Sequence, residues 1–173
     1  MLSALRTGSR GMVADAELMR QYNQAAQLVG TTFADQLPDA MSYLGKVSAA
    51  TGVDMGYLMN SLVTGVGRLQ PLILDNLQVQ VSLADATARA AQMYGVEEDA
   101  LSKAQIQAGM AAVTLEKLAE NTATMPDVTD NAATAMAQFT ATMENTKDQA
   151  GMVLLPLLKE VTGVFGELAE QYG

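Results

Sequence analysis

The strictest constraint in this 173-residue chain is a seam in its last third. Ala132, Met136, Phe139, Met143, Thr146, Ala150, Val153 and Leu157 follow one another at alternating steps of four and three, and Val161, Val164 and Leu168 extend the series after one four–four step. That spacing keeps side chains on one stripe of a helix, whereas a strand turns its side chains over at every residue. The sequence therefore predicts one long, acidic amphipathic helix over 127–173. Pro156 should kink it by removing a hydrogen bond and crowding the carbonyl of Met152. A seam close to heptad spacing suits contact between copies of the chain, loosened where the extra step falls. It suits equally well a helix laid on its own domain. The face Ala132, Met136, Phe139, Met143, Ala150, Val153 and Leu157 is the candidate surface for self-association or partner binding.

The region before it, 1–126, reads as a compact helical body. Hydrophobic residues make up 49% of the chain but aromatics only 5%, with no Trp, so Ala, Leu, Val and 12 Met carry the apolar content. Such side chains suit helix interiors and close helix approach. The methionines, Met12 to Met152, are spread over every predicted helix and read as adaptable core filling. The expected fold is all-α with about six helices. A short helix opens at Leu2, and a second is capped by Asp15 and ends at Gly30. A third has Pro38 in its first turn and runs to Gly52, and a fourth runs from Asp54 to about Gly65 and Gly67. Ser82 is the expected N-cap of a helix ending at Gly95, and another runs from Glu98 to Asn121. Only 77–81 alternates with period two (Leu-Gln-Val-Gln-Val), as an isolated pairing or as an extended loop packed on helices.

Net charge is −9 and the pI about 4.3, which leaves no basic surplus for nucleic acid. The first twenty residues hold Arg6, Arg10 and Arg20, while eight acids and two lysines follow Leu118. A basic start and an acidic end are compatible with head-to-tail stacking or with solvated helix faces. Absence of Cys and His removes thiol nucleophiles, imidazole triads and the usual zinc ligand sets. The longest aliphatic run, Met152 to Leu158, is too short for a bilayer span and contains Pro156. Thr64-Gly-Val-Gly lacks the Lys-Ser/Thr ending of a phosphate loop, and adjacent Glu97, Glu98 and Asp99 cannot converge on one ion. No catalytic, cofactor-binding or metal-binding residues are expected, and the chain reads as no enzyme.

Three stretches resemble the tape measure proteins of tailed phages. Ala4 to Met19, followed by Asn23, is similar to that family's small–Leu–Arg…Ser–Arg–Gly…Leu–Met…Asn segment. Thr64-Gly-Val-Gly-Arg-Leu-Gln-Pro-Leu-Ile-Leu-Asp-Asn-Leu77 resembles its TGxGRxxPxILDNL signature, carried here by Gly65, Gly67, Arg68, Pro71, Leu74, Asp75 and Asn76. Ala150 to Leu158 resembles the G-x-x-LLP-x-L that follows its long helix. Gln78 stands where the family often has Gly, and the family's chains are usually far longer. The expectation is a segment of a larger protein or a shortened prophage gene product.

The resemblance implies a structural role in the virion tail, assembled in the host bacterial cytoplasm. Such a protein takes part in tail assembly and length determination in the tube lumen. Implied partners are tail tube and tail-tip or baseplate proteins and further copies of the chain, with no sequence-specific nucleic acid, no membrane from this segment and no cofactor. The alternative is a cellular helical adaptor that binds a partner through its C-terminal helix.

Overall fold

The computed structural model describes residues 1–129 and 133–151, and every regular element among them is helical. In chain order these are α1 (Leu2–Gly8), α2 (Asp15–Leu28), α3 (Thr31–Ala34), α4 (Leu37–Thr51), α5 (Met55–Gly67), α6 (Pro71–Leu74), α7 (Leu83–Tyr94) and α8 (Lys103–Thr122). Residues 133–151 form a further helix, α9. Two of the described helices, α3 and α6, were not expected, because each is a single turn too short to carry a periodic signal. The part of the long acidic helix beyond residue 151, with the kink expected at Pro156, lies outside the described residues.

Helix α5 sits at the centre. It contacts α2, α4, α6 and α8, and Met55, Leu58, Met59, Leu62, Val63 and Val66 are all buried. A helix apolar on most of its circumference is one enclosed by others, and here the enclosing set supplies Leu18, Met41, Leu44, Leu74, Met110 and Leu118 to the same core. The core holds few aromatic rings, so helices approach closely through small residues. Where α7 and α8 cross, a Cβ on Gly109 would lie 2.1 Å from the Ala86 carbonyl oxygen and 2.9 Å from Ala90 Cβ.

Local signals explain most boundaries. The Asp54 carboxylate accepts the Tyr57 N–H at 2.8 Å and starts α5. Ser82 and Asp85 cap α7 reciprocally, the Asp85 N–H donating to Ser82 Oγ at 3.0 Å and the Ser82 N–H to Asp85 Oδ2 at 3.1 Å. Pro38 stands in the first turn of α4, while Gly52 and Gly95 close α4 and α7 in the left-handed conformation.

Two expectations need correction. Ala14, not Asp15, is the N-cap of α2, and the Asp15 carboxylate is instead paired with the Arg6 guanidinium. The helix expected from Glu98 begins at Lys103. Glu98–Ala100 is a separate 3-10 turn, Leu101 is extended, and Ser102 with Gln105 forms the capping box of α8. Of the two readings of 77–81, the extended loop packed on helices is the one observed, with no strand pairing. Val79 and Val81 are buried and Gln78 and Gln80 exposed, so period-two burial arises in a connector laid on the helices. Two side chains one turn apart on α8 hold it there: Lys117 Nζ donates to the Gln80 carbonyl, and Asn121 Nδ2 to that of Gln78 at 2.8 Å.

Helix α9 lies against the first region. Gln138 Nε2 donates to the Arg10 carbonyl at 2.9 Å, and the Asp15 N–H donates to Asn145 Oδ1 at 2.8 Å. The Arg10 guanidinium bonds the Val128 carbonyl in the segment leading to α9. The N-terminal arginines are therefore engaged within the chain, with Arg20 paired to Glu17.

Candidate partner-binding surface

The spacing of α9 places two different sets of residues on its two sides. Thr134, Ala137, Gln138, Ala141 and Asn145, at steps of three and four, face the body, and Thr134 and Ala141 are buried. On the opposite side Met136, Phe139 and Met143 stand in solvent at 65%, 62% and 44% exposure. Ala150 is exposed as well, whereas Ala132, Val153 and Leu157 lie outside the described residues. These three side chains do not pack into the described core. The inner face was missed because it is built from small and polar residues, which no hydropathy pattern marks. Its only trace in the sequence is the 134, 137, 138, 141, 145 spacing itself.

The second set of candidate residues gathers at one corner of the body. Helix α5 ends at Gly67, Leu69 takes a left-handed φ of 54°, and Pro71 opens α6, which brings Leu74 back beneath α5. A Cβ on Gly65 would lie 2.5 Å from Leu74 Cδ2, and one on Gly67 would lie 2.7 Å from Leu28 Cδ1. Positive φ at Gly67, a natural expectation for a glycine at a helix end, is not found. The left-handed residues nearby are Leu69 and Gln78, and Gly67 is there for the close approach of Leu28. The buried Gln107 side chain donates to the Gly67 carbonyl, and Asn76 Nδ2 to Ser61 Oγ at 3.3 Å. Arg68 and Asp75 are exposed at the rim of this corner. The motif thus makes a helix–turn–helix corner built on close approach, with Asn76 bonded to Ser61 and the Gly67 carbonyl to Gln107.

A groove of about 530 Å³ opens between α9 and the end of α4. Gly45, Ser48, Ala49 and Gly52 form one wall, and Ala133, Ala137, Thr140 and Ala141 the other. Met12, Met55 and Val128 are buried along its floor. Among the described residues Glu17, Asp54 and Glu144 are its charged lining, with no Lys or Arg. The Arg20 guanidinium holds the Glu17 carboxyl below its ordinary value, a second contribution in that direction coming from the Gln21 amide. Glu97, Glu98 and Asp99 are exposed at the turn between α7 and α8, and no group of three or more acids among the described residues is placed to hold a metal ion.

No family model, curated protein or solved structure matches the chain. What the surface offers chemically is apolar contact area beside acidic charge. No described helix is long and apolar enough to cross a membrane.

Proposed function

We propose that this chain is a non-catalytic structural segment of a phage tail tape measure protein, a helical body that associates with further copies and with tail components through the outer face of α9. The observation that supports association is the outward placement of Met136, Phe139 and Met143 on a helix whose opposite face is already used. Exposed apolar side chains at steps of three and four are what a second helix needs in order to pack. The three resembling stretches support the tail assignment, and the corner built by Gly65, Gly67, Pro71 and Leu74 supplies a physical reason for that motif: it sets the packing of α5 on α6 and α2. The adaptor reading draws on the same outer face, and tail tube or baseplate genes beside the reading frame would separate the two.

Sedimentation of the parent and of Phe139→Asp tests the association. The parent should show a concentration-dependent species that Phe139→Asp abolishes while keeping its helical circular dichroism. A parent that stays monomeric at high concentration sinks the association. For the tail assignment, in-frame deletion of this segment in the phage or prophage that encodes it should leave tails absent or altered in length in electron micrographs. Normal tails would overturn it.

A further inference from the structure

We propose that the groove between α4 and α9 is a docking site for a basic amphipathic helix from a partner protein. Its walls argue for a helix as occupant. The α9 wall runs from Ala133 to Glu144, about 16 Å at 1.5 Å per residue, and the α4 wall from Gly45 to Gly52, about 10 Å. Two to three turns of a visiting helix fit that length. A strand finds no template there, because the backbone groups of both walls are tied up in their own helices. Small side chains on the walls let another backbone come close, and the thioether side chains of Met12 and Met55 on the floor adapt to whichever apolar residues enter.

The charge of the rim argues for a basic partner. Asp54, one of whose oxygens caps α5, and Glu144 are exposed at the groove, while Glu17 is paired with Arg20 and Lys46 with Asp127 at 3.1 Å. Lysine or arginine flanking the apolar stripe of a visiting helix meets the Asp54 and Glu144 carboxylates. A second copy of this chain, at net charge −9, meets them with repulsion. The site is distinct from the outer stripe, since Phe139 and Met143 do not line the groove and only Met136 reaches it. It stands whether or not the chain belongs to a phage tail.

Fluorescence anisotropy with a labelled amphipathic peptide of leucine and lysine, leucines at i, i+3, i+4 and i+7, tests this directly. The expected result is saturable binding that added salt weakens, with no binding of the same peptide carrying Glu for Lys. Ala49→Trp and Thr140→Trp fill the groove from opposite walls at exposed positions, and each should weaken binding at least about tenfold. Glu144→Lys should weaken it about fivefold, and Phe139→Ser should bind as the parent does. Absence of saturable binding overturns the proposal. So does unchanged binding by both tryptophan variants, which would mean that charge alone holds the peptide elsewhere. Loss of self-association in those variants without loss of peptide binding would assign the groove to a second copy and equally overturn it.

Discussion

At the scale of single residues, glycine decides how closely these helices approach. Gly109 faces backbone: the Ala86 carbonyl and the Ala90 N–H and Cβ leave no space for a methyl group, and none of those atoms can rotate away. Gly65 and Gly67 face leucine side chains, which can shift. Alanine favours a helix over glycine by about 1 kcal/mol, but overpacking a tight contact costs about 1–3 kcal/mol. Gly109→Ala should therefore be the most destabilising of the three, by about 1–3 kcal/mol in urea unfolding, with Gly65→Ala and Gly67→Ala milder. A neutral or stabilised Gly109→Ala would show that α7 and α8 do not cross this tightly. Glu17 allows a second test. Its carboxyl, hydrogen-bonded to Arg20, is held below the ordinary 4.5 in the folded protein. It binds a proton more readily once unfolded, so its contribution is present above the ordinary carboxylate range and is lost as pH falls through the depressed folded value. Glu17→Gln should lower stability in the neutral region and leave the acid end little changed, which flattens the acid limb of a stability–pH curve. An unaltered acid limb would count against the pairing.

At the scale of elements, α9 is attached by a thin layer. Thr134, Ala137 and Ala141 bring little apolar area, and Gln138 and Asn145 add hydrogen bonds to the Arg10 carbonyl and the Asp15 N–H. Burying a carboxylate in that layer should release the helix without unfolding the body. Hydrogen–deuterium exchange of Ala141→Glu is expected to show residues 133–151 losing protection while α5 and α8 keep theirs. Loss of protection throughout would mean that α9 belongs to the same cooperative unit as the core. The 78–82 connector is the contrasting case, with no regular structure of its own yet pinned by Val79 and Val81 below and by Lys117 and Asn121 above.

At the scale of the whole molecule, charge and apolar exposure oppose each other. Copies carrying −9 repel at low ionic strength, so association through Met136, Phe139 and Met143 should strengthen as salt is added. Sedimentation at two ionic strengths reads this directly, and association that weakens with salt would point to complementary charge instead. The all-helical character was legible in the sequence because periodicity and end signals agreed, with Asp54, Ser82, Pro38, Gly52 and Gly95 acting as their chemistry dictates. The start of α8 was misjudged because Glu98 and Asp99 resemble a first turn, whereas the capping box at Ser102 was the stronger signal. The outer face of α9 was legible as a stripe, but which way it pointed was not. That depends on the depth of the small-residue layer beneath α9, a tertiary property with no local signature. The groove was illegible, since its walls come from segments about ninety residues apart in sequence.

Because α9 is at once the wall of the groove and the carrier of the outer stripe, the two surfaces share a single helix. A ligand that seats in the groove fixes α9 against α4, and the ordering cost of the helix is then already met when a second helix arrives on the outside. Linkage runs both ways with equal magnitude, so a copy bound at Phe139 raises affinity in the groove by the same factor. With both partners bound, α9 would pass the effect of one to the other although the two never touch.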